Sequence, residues 1–95
     1  MLICKVVGHV WATKKEEGLE GLKLMVVQEI DGTGRKKGNT FVAADVVGAG
    51  IGEQVLTVSS TARKAFGRDT VPVDAAIVAI IDTVEVNREA ARGSE

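Results

Sequence analysis

Side chains alternate along residues 2–12: Leu2, Cys4, Val6, Val10 and Ala12 fall on one side of an extended chain, and Ile3, Lys5, Val7, His9 and Trp11 on the other. A period of two with one good apolar side predicts a half-buried β-strand. Residues 13–21 are polar and end in two glycines three apart, which predicts an exposed loop with a short turn of helix. A second strand follows over 23–30, and Asp31-Gly32-Thr33-Gly34 supplies turn chemistry through a residue pair suited to positive φ. Arg35-Lys36-Lys37-Gly38 reads as the solvated basic tip of that hairpin. Residues 40–46 make a third strand, with Phe41 and Ala43 opposing Val42, Ala44 and Val46, and residues 54–58 a short fourth one.

Ser59-Ser60-Thr61 offers hydroxyls that cap a helix, and Ala62-Arg63-Lys64-Ala65-Phe66 has helical propensity before Gly67 stops it. Residues 69–74 are extended, since Pro72 pushes Val71 away from the helical region. The last strand, 75–81, is apolar on both sides: Ala76, Val78 and Ile80 alternate with Ala75, Ile77, Ala79 and Ile81. One side of a strand in a small antiparallel domain should meet water, so this one needs cover on its second side, from the helix or from another subunit. Polar alternation resumes at 82–86, and the charged tail 87–95 reads as frayed. Five short strands and one short helix predict a mainly β fold, a small five-stranded barrel of the oligonucleotide-binding type, in a single domain over 1–86.

Composition narrows the partners. Ninety-five residues bury roughly 65% of their unfolded surface, enough for one modest core and no second domain. The net charge is −1, from 12 basic and 13 acidic side chains, so no global field gathers nucleic acid or an anionic membrane. Trp11, Phe41 and Phe66 are the whole aromatic complement, and the core must come from Val, Ile, Leu and Ala. Cys4, the lone cysteine, has no internal disulfide partner and reads as a small buried hydrophobe. No apolar run reaches membrane-spanning length and the start lacks a signal-peptide pattern, so the chain reads as cytosolic and soluble.

The stretch with most chemical content is Asp45-Val46-Val47-Gly48-Ala49-Gly50-Ile51-Gly52-Glu53-Gln54-Val55-Leu56. Three alternate glycines let the backbone take positive φ or approach another surface closely, so something is expected very near this loop. A phosphate-binding loop would open a helix, whereas β-branched residues without helical period follow. A tight bend, packed against a neighbouring subunit in the sharper reading, fits better. His9 lacks ligand partners for a metal, and Asp45, Asp74 and Asp82 have no spacing that pairs them; strand-end aspartates usually accept turn hydrogen bonds. Ser59-Ser60-Thr61 has no activating base in view. Catalysis, metal and cofactor binding are not supported, which leaves two alternatives to an assembly role: a single-stranded nucleic-acid-binding module or a small-ligand-binding module at the glycine loop. The first needs a basic groove and several stacking aromatics, which this composition lacks.

Three blocks in order carry a family resemblance: the glycine stretch 45–56, then Ser60-Thr61-Ala62-Arg63, then Pro72-Val73-Asp74-Ala75-Ala76-Ile77-Val78-Ala79-Ile80-Ile81-Asp82-Thr83-Val84. Together with Gly8-His9-Val10-Trp11-Ala12-Thr13-Lys14-Lys15 and Leu19-Glu20-Gly21-Leu22-Lys23-Leu24, they resemble the bacterial microcompartment vertex proteins, the pentameric shell family of carboxysomes and ethanolamine-utilisation-type metabolosomes. The resemblance implies a non-catalytic homopentamer in the shell of a cytoplasmic bacterial compartment, capping its vertices and docking against hexameric shell proteins, with no nucleic acid or membrane partner. It also implies that Gly48, Ala49, Gly50, Ile51, Gly52 and Glu53 face the fivefold axis around a narrow pore. The subunit interface is then expected to use Arg63, Ala75, Ile77, Ala79 and Ile81. Five copies of Glu53 near one axis would repel, so each carboxylate is expected to point off the pore or to pair with a basic side chain, Arg63 first.

Overall fold

Strand alternation becomes burial wherever two neighbours share a side. A computed structural model describes residues 1–15, 17–59, 62, 65, 67, 72–87, 89 and 90. It contains five strands, β1 (Leu2–Val10), β2 (Lys23–Ile30), β3 (Lys36–Asp45), β4 (Gln54–Val58) and β5 (Ala76–Ile80), closed into a barrel in the order β1-β2-β3-β5-β4. All neighbours are antiparallel except β3 and β5, which run parallel through the pairs Ala44↔Ala76 and Asp45↔Ile77. Closure removes the sheet edges that a five-stranded open sheet would expose. A 3-10 turn, Glu17–Leu19, lies in the polar loop where a short helical turn was expected. The helix expected over 62–66, Arg63 included, falls largely outside the described residues, as does much of 69–74.

The core is aliphatic. Cys4, Val6, Met25, Val27, Ala43, Ala49, Val55, Ala75 and Ile77 form one buried cluster, with Phe41 and Ile80 packed against it. Each fully buried Val or Ile contributes about 1.5–3 kcal/mol relative to exposure. The Cys4 thiol lies 3.7 Å from Thr57 Oγ1, which gives the buried hydroxyl a polar neighbour. Gln28 is buried too, and its side-chain amide donates to the carbonyls of Glu29, Lys37 and Gly38 at 3.0, 3.3 and 3.1 Å. A buried amide without those acceptors would be costly.

Several boundaries differ from the sequence expectation. Strand β1 stops at Val10, and Ala12 is exposed. A bulge between Val6 and Gly8 shifts the register against β2, so His9, not Gly8, stands opposite buried Met25. Lys36 and Lys37 belong to β3 instead of a hairpin tip, with Lys36 opposite Ile30. The turn is confined to residues 31–35, where Asp31 Oδ1 accepts from the Thr33 and Arg35 amides at 2.8 and 3.0 Å and from the Thr33 hydroxyl at 2.6 Å. Its positive φ falls on Gly34, not on the Asp31-Gly32 pair.

Candidate functional site

The glycine loop, residues 46–53, runs from the end of β3 to the start of β4, and its shape is set from the strand end upward. Asp45 closes β3 with its side chain 0% exposed. Its Oδ1 accepts from the Val47 and Gly48 amides at 2.9 and 3.1 Å, and its Oδ2 from the Ala49 amide at 2.7 Å. Lys23, directly across the ladder at the start of β2, places Nζ 3.2 Å from the same Oδ2 and donates to the Ala49 carbonyl. At the far end, the Gly52 amide donates to the Val6 carbonyl at 2.8 Å, and the Glu53 carbonyl accepts from the Val6 amide at 2.9 Å. The loop is therefore tied to β1 on one side and to β2 and β3 on the other.

The three glycines do different jobs. Gly48 and Gly52 have φ of 84° and 93°, and a Cβ on either would meet nothing within 4 Å, so the chain's own turn requires them. Gly50 has no such φ, and a Cβ there would lie 3.4 Å from Glu53 Oε1. Positive φ thus accounts for Gly48 and Gly52 and not for Gly50. Ala49 turns inward and is buried in the core cluster, whereas Val46, Val47 and Ile51 are exposed, Ile51 by 66%. An eight-residue loop that plugs one methyl into the barrel and presents three larger apolar side chains outward offers contact surface rather than a cavity.

The loop amides that a phosphate would use are already occupied. Asp45 takes three of them, and Glu53 Oε1 accepts from the Gly50 amide at 2.7 Å. An external anion would have to displace internal carboxylates. Glu53 is thereby folded onto its own loop; its expected partner, Arg63, lies outside the described residues. The residues expected at a subunit interface divide. Ala75 and Ile77 are enclosed within the chain's own core, with Ile77 0% exposed, while Ala79 and Ile81 are half-buried on β5 and just beyond it. Apolarity on both sides of a strand signals the need for cover but does not say whose, and at Ala75 and Ile77 the single chain supplies it.

Two features were not legible beforehand. Lys23 carried no signal, because its link to Asp45 and Ala49 joins residues 22 and 26 positions away. The His9 and Trp11 rings stack with centroids 4.2 Å apart and planes 2° from parallel, leaving Trp11 84% exposed. Alternation by two put both on one side of the strand expected over 2–12, a hint that the rings meet. Among the described residues, no helix is long and apolar enough to cross a membrane.

Comparison with known proteins agrees with this geometry. Residues 1–82 match the family described as ethanolamine utilisation protein EutN/carboxysome. The carboxysome shell vertex protein CcmL of Synechococcus elongatus is 49% identical over 87 residues, covering 90% of this chain and 88% of that protein. The solved CcmL structure from Gloeobacter violaceus superposes with a TM-score of 0.85 at 42% identity, covering 92% of this chain and 91% of the other. The GrpN pentameric microcompartment shell protein from Rhodospirillum rubrum superposes with a TM-score of 0.82 at 42% identity, covering 92% of this chain and 100% of the other.

Proposed function

The chain belongs to the ethanolamine utilisation protein EutN/carboxysome family, and from that membership we propose that it is a shell vertex protein: five copies close into a ring that caps a vertex of a bacterial microcompartment and docks against hexameric shell proteins around it. The observation that carries this reading is the superposition of this closed barrel, at a TM-score of 0.82, along the whole length of a protein described as a pentameric microcompartment shell protein. Its working place is the shell of a compartment in the cytoplasm. Its mechanism is assembly, and no reaction is assigned to it; Asp45, the most buried carboxylate near the loop, is committed to backbone amides.

Within the ring, the glycine loop faces the fivefold axis. Support comes from its outward Val46, Val47 and Ile51 and from Gly50, whose lack of a side chain the chain's own backbone does not explain. A closed ring brings the same loop of each subunit together, where only small residues fit at the narrowest point. Ala79 on β5 and Ile81 just beyond it supply half-buried apolar surface to a neighbour, and Arg63, which lies outside the described residues, is kept as an interface residue on the family resemblance alone. Residues 1–86 act as the domain, and residues 87–95 as a tail. Support for that boundary is the packing of Val86 on the β2–β3 turn, where a Cβ on Gly32 would lie 2.7 Å from Val86 Cγ2.

Native mass spectrometry tests the ring. A mass of five chains is expected; a clean monomer at micromolar concentration would sink the assembly reading and reopen the nucleic-acid and small-ligand alternatives. Those alternatives have their own readouts. Ribohomopolymer binding at moderate salt is expected to be absent, given a net charge of −1. Nucleotides are expected to leave the thermal midpoint unchanged, since a true ligand stabilises by mass action.

A further inference from the structure

We infer that Lys23 is a positioning residue for the glycine loop, holding it through Asp45 and Ala49 in the shape that assembly uses before any neighbour arrives. Six N–H groups of the loop, those of Val47, Gly48, Ala49, Gly50, Gly52 and Glu53, donate to acceptors within the same chain. The loop is therefore folded in the single subunit, and its order does not wait on the ring. That folding rests on the Asp45 carboxylate, which is fully enclosed and takes three backbone amides at once. An enclosed carboxylate is tolerated when a cation stands beside it, and among the described residues Lys23 is that cation. The same ammonium group also holds the carbonyl of Ala49, the residue whose methyl plugs the core. One side chain thus ties the base of the loop to its middle.

The geometry explains why a lysine serves here. Lys23 and Asp45 are directly paired across the β2–β3 ladder, so the ammonium group crosses from one strand to the next with little chain to order. Its side chain is 37% exposed at the barrel rim, which leaves part of the charge hydrated while the carboxylate is not. The consequence for assembly rests on the reading that the loop faces the ring's axis. Five loops meet there, and each loop that arrives already ordered spares the ring the entropy of ordering it. Without Lys23, five enclosed carboxylates would also converge near one axis with their counter-cations gone.

The test compares the wild-type full chain with Lys23→Met and Lys23→Arg, reading amide hydrogen exchange across loop and barrel together with native mass. In Lys23→Met, the Val47, Gly48 and Ala49 amides are expected to exchange about tenfold faster or more, because their shared acceptor has lost its cation. Val6 and Val27 keep wild-type protection, and the ring dissociates at a protein concentration about tenfold higher. Lys23→Arg restores both, since a guanidinium has donors for Asp45 and for the Ala49 carbonyl. Should the Met variant fail to fold, Lys23→Gln, which keeps a donor without the charge, carries the same comparison. Unchanged loop exchange overturns the inference. So does exchange that rises equally through β1 and β2, which would mark a general loss of stability, or a loosened loop in a ring of unchanged strength. A wild-type monomer would remove the ring reading while leaving the loop comparison intact, so the two failures are distinguishable.

Discussion

Ile77 is the residue at which core and interface make opposite predictions. Its side chain is 0% exposed in one chain, inside the cluster that includes Val6, Val27 and Val55. It also sits on the narrowest seam of the barrel, where β5 meets β3 through two register pairs only. Ile77→Ala removes buried methyl and methylene groups and leaves a cavity, at a cost of about 2–5 kcal/mol, while Ile77→Val costs about 0.5–1.5 kcal/mol. A chain of this size has about 5–14 kcal/mol of total stability, so the alanine variant loses a large share of it. With a urea slope of about 1–1.5 kcal/mol per molar, the midpoint falls by about 1.3–5 M. Ile77→Asp would enclose an unpaired carboxylate and unfold the barrel, so loss of the ring in that variant says nothing about an interface. Ile81→Asp is the informative substitution for the ring, because Ile81 is half-buried and its amide, which donates to the Gln54 carbonyl at 2.8 Å, is untouched. Unfolding should be followed by far-ultraviolet circular dichroism at two protein concentrations; Trp11, exposed and stacked on His9, is a poor reporter of the core. A core role shifts the midpoint by the same amount at both concentrations. An Ile77→Ala chain that keeps the wild-type barrel stability but loses only its ring mass would refute the argument and make Ile77 a contact residue.

Burial pushes the Cys4 thiol above its ordinary range, against the Thr57 hydrogen bond and with help from the charge of Glu29. Labelling by a thiol reagent at pH 8 should therefore be slower than for a free cysteine by about a thousandfold or more, limited by opening of the barrel; rapid labelling would mean that β1 opens locally. Because the folded value is the higher one, this contribution to stability is full below the ordinary thiol value and lost as pH rises through the folded value, and Cys4→Ala should flatten that part of the pH profile. Gly48→Ala and Gly52→Ala should each cost about 1–3 kcal/mol from strained φ, whereas Gly50→Ala should cost about 0.5 kcal/mol or less in the isolated chain. A drop in ring strength for Gly50→Ala without loss of barrel stability would measure how closely neighbouring loops approach, and an unaffected ring would move the loop off the axis. Asp31 is held below the ordinary aspartate value, first by the Thr33 hydroxyl and then by the Arg35 and Thr33 amides. Its turn contributes stability above the ordinary value and loses it as pH falls through the lowered one, so the Thr33 amide resonance should titrate there and the transition should vanish in Asp31→Asn.

Local pattern carried the parts of this protein that local physics controls. Strands β2 and β4 begin and end where alternation predicts, at Lys23–Ile30 and Gln54–Val58, because a period of two needs only neighbouring residues to be visible. Five strands, an aliphatic core, a buried Cys4 and a strand-end Asp45 bonded to turn amides were legible for the same reason, and the order of the glycine and strand blocks was enough for the family. Tertiary pairing decided the rest. The bulge that brings His9 opposite Met25 exists only in the register of β1 against β2, and Lys36 joins β3 because backbone pairing with Ile30 requires no apolar side chain. The pattern of residues 75–81 demanded cover, but closure of the barrel between β3 and β4 is what encloses Ala75 and Ile77 in their own chain. Lys23 lay silent in the sequence because the contact that gives it meaning is a hydrogen bond across a strand pair and a loop, and such contacts are chosen by where the folded backbone places the partners, not by how far apart they are along the chain.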